Sequence, residues 1–414
     1  MEGDYGFLLD LALILLSTKL LGILTKKVKM PQVVGALLAG LILGPAVLNI
    51  LQETELITQL AELGVIILMF TAGLETDIHE LKKTGKASFI IALLGVILPL
   101  VGGFAIATIF NKDANTSDHM VLLQNIFIGV VLTATSVSIT VETLKELGKL
   151  NTKAGNAILG AALIDDILGI IALTLITSFA DKSVNVWMVL LQIVGFFAVA
   201  AVFGFLFYWL FNKWVKRYKK DKRRFVIISF VFCLAFSYVA EEFFGVADIT
   251  GAFIAGMIIS NTQRSKYIAS RFETLSYILL SPIFFASIGI KVQLTAMSGP
   301  IIVFTVLIVL IAIITKIIGC GVGAKLCKFS NKESLQVGVG MISRGEVALI
   351  VANKGMALSL MPVAFFGPMV IMVIITTIVT PILLKFVFHG RKGNLNPLEE
   401  QKILPEKPPE MKQE

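Results

Sequence analysis

The amino-acid sequence predicts an all-α membrane protein with about thirteen transmembrane helices, and three observations carry that expectation. Of 414 residues, 56% are hydrophobic and only 15% charged, with a mean hydropathy of +0.88, far too apolar for a domain whose surface is wetted. Apolar runs near the roughly 20 residues that cross a bilayer as a helix recur along almost the whole chain, with short polar gaps between them. Lysine and arginine then crowd into every second gap, the pattern that cytoplasmic loops of multi-pass proteins show.

The first seven helices are expected near residues 6–25, 30–50, 57–75, 86–110, 120–143, 154–180 and 185–212. The remaining six are expected near 225–241, 246–260, 273–290, 298–324, 333–353 and 364–388, the ninth being the shortest. The cation-rich gaps carry Lys26, Lys27 and Lys29; Lys82, Lys83 and Lys86; Lys145, Lys149 and Lys153; the run from Lys213 to Arg224; Arg264, Lys266 and Arg271; and Lys325, Lys328 and Lys332. The other gaps hold Lys112, Lys182, Lys291 and Lys354 singly. With Arg391 and Lys392, roughly 25 cations lie on one side and roughly 4 on the other, which sets the N-terminus outside and the C-terminus in the cytoplasm.

The net charge of +8 and pI near 9.2 follow from that asymmetry, so nucleic acid need not be a partner. Membrane lipids are one, since a basic run such as Lys213 to Arg224 attracts anionic headgroups. Cys233, Cys320 and Cys327 are odd in number, lie in or beside helices and lack metal-ligand spacing, so they read as small apolar residues. The first helix has no basic segment before it and no small-residue cleavage site after it, so it is expected to be retained. After Phe388 the chain turns polar, with Pro405, Pro408 and Pro409 among charged residues, as in a disordered tail too short for a regulatory domain.

Two segments depart from a plain lipid-facing helix. The fifth helix carries the hydroxyl-rich stretch Leu132-Thr133-Ala134-Thr135-Ser136-Val137-Ser138, and the twelfth carries Gly338, Gly340, Ser343, Arg344, Gly345 and Glu346. Helices five and twelve run in opposite directions through the bilayer, as an inverted repeat of interrupted helices requires. Helices one to six and eight to thirteen would form the halves, the seventh connecting them. Close packing of two small-residue helices would be the plain alternative.

A charge at the bilayer centre costs at least roughly 2.5 to 3.5 kcal/mol on insertion scales, so each deep one asks for a partner or a function. Asp165 and Asp166 stand side by side in the middle of the sixth helix, and Lys316 sits alone in the apolar run of the eleventh. Two adjacent carboxylates in a low-dielectric site cannot both stay ionised without a cation, because like charge and desolvation both favour the neutral form. They should therefore bind a proton or a metal ion in turn. A hard monovalent ion such as Na+ takes carboxylate, hydroxyl and carbonyl oxygens, the ligand type known for other hard cations. Thr133, Thr135 and Ser136 offer such oxygens, and Lys316 offers a counter-ion when the metal is absent. Neighbours on a helix point about 100° apart, so Asp165 and Asp166 need not share one role. Glu75 ends the third helix and would approach from the cytoplasmic side, or else mark the interface. Glu62 and Asp248 fall near the outer surface, and His79, His119 and His389 fall in loops. Gly319, Gly321 and Gly323 match a dinucleotide loop superficially, but no strand precedes them.

At Asp165-Asp166, Thr133 to Ser136, Lys316 and Ser343-Arg344-Gly345-Glu346 the chain resembles the monovalent cation:proton antiporters, specifically the NapA-like sodium/proton exchangers with two aspartates. That resemblance implies thirteen helices with crossed, discontinuous helices five and twelve. It implies scaffold helices over residues 1–85 and 225–296, and an ion-binding core over 86–183 and 297–389. A connector helix and basic loop then cover 184–224, with the tail at 390–414. It further implies an elevator-like homodimer in a bacterial inner membrane that exchanges Na+, and also Li+, for H+ electrogenically and without a cofactor. By the same resemblance Asp166 is the main ion-binding carboxylate, Asp165 the partner of Lys316, and Arg344, Glu346 and Glu75 supporting charges. The absence of a nucleotide-binding domain disfavours the potassium-efflux alternative. An intramembrane aspartyl protease would need its carboxylates to converge from separate helices, and a cation channel would show unitary currents.

Overall fold

The computed structural model describes residues 5–27, 30–76, 78–111, 117–180, 185–217, 223–292 and 299–388, apart from the side chains of His79, Glu80, Ala180 and Glu346. Among these residues the chain is entirely helical, without strands. It begins with α1 (Gly6–Lys27), α2 (Gln32–Leu43), α3 (Glu55–Glu75) and α4 (Ile78–Phe110). α5 (Asp118–Thr133), α6 (Val137–Glu146), α7 (Lys153–Ala180) and α8 (Val186–Arg217) follow. Next come α9 (Arg223–Tyr238), which runs on through a π-helical turn (Val239–Phe243), and α10 (Asp248–Ser260). α11 (Ser265–Leu275) and α12 (Ser281–Ile290) are joined by a second π turn (Ser276–Leu280). The chain closes with α13 (Gly299–Leu326), α14 (Asn331–Gly340), α15 (Glu346–Ala357) and α16 (Val363–Phe388).

Among the described residues, ten segments are long and apolar enough to cross a membrane, and three shorter apolar helices accompany them. Their outward faces confirm the solvent. α8 exposes Trp187, Leu191, Val194, Val202, Phe203 and Phe205, a surface that is stable against lipid and would be driven together in water.

Several boundaries differ from those the sequence predicts. α2 stops at Leu43 instead of near residue 50, because Gly44 takes an extended conformation (φ −75°, ψ −177°) and Pro45 disfavours helix in the residue before it. α4 starts at Ile78, so Lys82, Lys83 and Lys86 lie on a helix instead of in a loop. Lys145, Lys213, Lys216, Arg217, Lys266, Arg271, Lys325, Lys332 and Lys354 are helical too. Long cationic side chains let terminal helical turns extend into the headgroup layer, so a charged residue does not by itself end a helix. For the same reason His119 belongs to the first turn of α5 and His79 to α4, where loops were expected. His389 and the tail lie outside the described residues. Cys233 and Cys320 are buried free thiols and Cys327 is half-buried.

The helices pack in two groups. α1, α2, α3, α9, α10, α11 and α12 lie mainly on one another, and α4, α5, α7, α13, α14, α15 and α16 do the same. α6 touches both, and α8 rests on α7 and α10. Lipid offers no hydrophobic drive between helices, so close approach through small residues must supply van der Waals contact. α3 and α10 show this directly. A Cβ at Gly73 would stand 2.2 Å from the Phe253 carbonyl oxygen, and one at Gly256 would stand 2.1 Å from that of Phe70. Gly256→Val is therefore expected to destabilise the protein by about 3 kcal/mol or more, at or beyond the upper end of ordinary overpacking. The thermal midpoint of purified protein in detergent measures it, and an unchanged midpoint would refute this packing.

Candidate ion-binding site

The site is built where two helices break and cross. α5 ends at Thr133 and α6 begins at Val137, with Ala134, Thr135 and Ser136 extended between them. α14 ends at Gly340 and α15 begins at Glu346, with residues 341–345 between them. Breaking a helix frees backbone groups that hydrocarbon cannot satisfy, and here each break satisfies the other. The Ser136 N–H donates to the Ser343 carbonyl (2.8 Å), and the Ser343 hydroxyl donates to the Ser136 carbonyl (2.8 Å). The Thr140 hydroxyl lies 2.8 Å from both the Gly340 carbonyl and the Ser343 hydroxyl and shares its one proton between them.

Arg344 completes the junction. It is fully buried, and its guanidinium donates to the Leu132 carbonyl (2.8 Å) at the end of α5 and to the Ile342 carbonyl (2.6 Å). A helix C-terminus carries a partial negative charge, so this arginine acts as a fixed cation at the end of the α5 half-helix. The Thr377 hydroxyl of α16 donates to the Arg344 carbonyl and ties the extended segment to its neighbour.

Beside the crossing, α7 presents the two aspartates. Asp165 is 2% exposed, and its Oδ1 accepts from the Nζ of the fully buried Lys316 at 3.0 Å. α13 brings that lysine, and α4 covers the pair. Gly95 permits the cover, because a Cβ there would stand 2.6 Å from the Cys320 Sγ, 3.7 Å from Lys316 Nζ and 3.8 Å from Asp165 Oδ1. The Thr135 hydroxyl lies against the Asp165 carboxylate without closing a well-formed hydrogen bond to it. Asp165 Oδ2 is likewise buried without a hydrogen-bond partner among the described residues. Two open oxygens beside a buried cation leave room for a further positive species. Asp166, one position on, is only half-buried.

Thr133 and Ser136 stand at the break as the sequence suggested, both buried. Thr133 donates to the Val130 carbonyl (2.7 Å), and Ser136 shares a bond with Ser138 (3.2 Å). Their oxygen lone pairs stay available to a ligand. Arg344 is at the crossing, and Glu346 opens α15, its side chain lying outside the described part. Glu75 is elsewhere. It forms an ion pair with Lys145 (3.2 Å) and lines a polar cavity of about 700 Å³ with Glu142, Glu146 and Glu273, between α6 and helices α2, α3 and α11. The pairing with Lys145 holds this terminal glutamate at the end of α3.

Thr140, Thr377 and Gly95 were not singled out from the sequence. Thr140 lies one turn beyond Ser136 in the same hydroxyl series, and Thr376-Thr377 interrupts an otherwise apolar run, so both left a signal. Gly95 left none, because its role is to be absent where another helix needs space.

The chain matches the family model "Sodium/hydrogen exchanger, transmembrane" over residues 12–390. It is 40% identical to the Na+/H+-K+ antiporter GerN of Bacillus cereus, over 94% of this chain and 98% of that protein. It is 37% identical to the Na+/H+ antiporter of Enterococcus hirae, over 91% of this chain and 96% of that protein. Among solved structures it shares the fold of the sodium proton antiporter MjNhaP1 from Methanocaldococcus jannaschii, with a TM-score of 0.64 at 18% identity over 92% of this chain and 97% of that one. A helical membrane protein with a buried Asp165–Lys316 pair beside its crossed half-helices thus belongs to the transmembrane sodium/hydrogen exchanger family.

Proposed function

We propose that the chain exchanges Na+ for H+ across a bacterial inner membrane by alternating access. The observation that carries this reading is the buried Asp165–Lys316 pair (3.0 Å) beside half-buried Asp166 and the open Thr135 hydroxyl. One set of carboxylates cannot hold protons and a metal ion at once, so competition for the same oxygens couples the two flows. Asp166 takes the cation, completed by oxygens of the α5–α6 break. Asp165 holds Lys316 while the metal is absent, and Arg344 keeps the crossing neutral throughout. The carboxylates and lysine titrate as a coupled set, with apparent values belonging to the group.

The remaining features follow from the same reading. The cation-rich ends face the cytoplasm, so the N-terminus is outside and the C-terminus inside. Helices α4–α7 and α13–α16 move as the core against a scaffold of α1–α3 and α9–α12, with α8 as connector, in a homodimer surrounded by lipid. The exchange is electrogenic, uses no cofactor, and accepts Li+ besides Na+. K+ is a second substrate to test, because the relative named for Na+/H+-K+ exchange is 40% identical.

Proteoliposomes carrying a pH gradient and a fluorescent pH probe supply the test. Added Na+ should collapse the gradient, Li+ should do so as well, and K+ defines the selectivity. A gradient untouched by any alkali cation would refute the proposal.

A further inference from the structure

A second cavity, of about 590 Å³, lies between α4, α7, α8 and α10. It reaches from the cation-rich ends of these helices up to Ile164 and Ile167, which flank the aspartate pair in sequence. Its walls are apolar apart from Ser88, Tyr208, Thr250 and Asn261, which suits neither water nor an ion in transit. Phe197 and Phe205 are exposed at its lip. At Gly85, on its wall, an added Cβ would meet nothing within 4 Å.

Cations gather at the end of this groove on three separate elements. Lys82 and Lys86 stand next to the wall residues Leu81 and Gly85 on α4, both exposed. Lys213, Lys216 and Arg217, all exposed, follow Tyr208 down α8, the first of them about 7.5 Å along the axis at 1.5 Å per residue. Arg264 precedes α11 just beyond Asn261, and its Nε is buried without a hydrogen-bond partner among the described residues. Apolar space with cations beside its end on three neighbouring elements has one complement in a bilayer, an acyl chain that ends in an acidic headgroup.

We infer that the groove between α4, α7, α8 and α10 is a binding site for one anionic phospholipid of the membrane. Its acyl chain lies along Gly85, Ile164 and Gly204, and its headgroup lies among Lys82, Lys86, Arg264 and the α8 cations. The groove separates α4 and α7 from α10, so under the proposed elevator reading the lipid sits between moving and fixed parts. Binding itself does not depend on that reading.

The full-length chain is reconstituted in phosphatidylcholine vesicles containing phosphatidylglycerol, then stripped stepwise of lipid and weighed by native mass spectrometry. One phosphatidylglycerol per chain should persist after bulk lipid is gone. Gly85→Leu should fill the groove and lose it. Lys82→Gln, Lys86→Gln and Arg264→Gln combined should keep a phospholipid but lose the preference for phosphatidylglycerol over phosphatidylcholine, roughly fivefold per cation at about 1 kcal/mol each. Should Gly85→Leu misfold, the cation variants still decide. Loss of all lipid from the wild type, equal retention by folded Gly85→Leu, or an undiminished preference in the triple variant would overturn the inference. Lipid retention does not read ion exchange, so its failure and a failure of Na+/H+ exchange are separate results.

Discussion

Asp166→Asn should reduce Na+-driven proton movement in proteoliposomes to the level of protein-free vesicles while leaving the protein folded. The substitution keeps size and shape but removes both the charge that attracts a cation and the group that carries a proton. Asp166 is half-buried and the amide keeps the shape of the carboxyl, so the thermal midpoint should move little. The wild type should show the matching pH signature. As pH falls, protons occupy the shared carboxylates and a higher Na+ concentration is needed for half-maximal exchange; as pH rises, the requirement relaxes until proton supply limits turnover. Exchange that survives Asp166→Asn, or a half-maximal Na+ concentration indifferent to pH, would remove Asp166 from the ion's path.

The second large effect is expected at the buried ion pair. Removing one partner from such a pair commonly costs 3–5 kcal/mol, because a charge is left without compensation. Asp165→Ala should approach that cost, since Lys316 is fully buried and pairs with Asp165 at 3.0 Å. Lys316→Gln should be milder, because a lone buried carboxyl neutralises itself by holding a proton. The consequence then moves from stability to transport. With a proton retained at Asp165, activity should shift toward alkaline pH and its response to an imposed membrane potential should change. A double-mutant cycle with both replacements should reveal coupling above about 1 kcal/mol, as expected for contacting residues. Additive midpoints together with an unchanged electrical response would mean that the pair does not act as a unit.

Much of this architecture was legible before any coordinates. The apolar runs and the alternation of cation-rich gaps specify a multi-pass helical protein, because the bilayer admits little else. The hydroxyl-rich stretch at Thr133 to Ser136 and the glycine-rich stretch at Gly338 to Gly345 mark the two breaks. Asp165, Asp166 and Lys316 mark themselves, since a charge in hydrocarbon demands a reason. Helix ends were less legible. Lys82 and Lys86 look like loop residues by charge alone, yet α4 carries them because snorkelling side chains reach the headgroups. Glu75 could be assigned to the site or to the interface, and only the position of Lys145 on α6 settled where it points.

The sequence by itself determined the solvent and the identity of the deep charges, because both are local properties set against a slab of hydrocarbon roughly 30 Å thick. Tertiary structure alone decided that Arg344 caps the end of α5 and that Gly95 makes room for the pair of Asp165 and Lys316. Those facts depend on contacts between residues 151 and 212 positions apart in the chain. No periodicity within a single helix encodes the rotation and crossing of its neighbours.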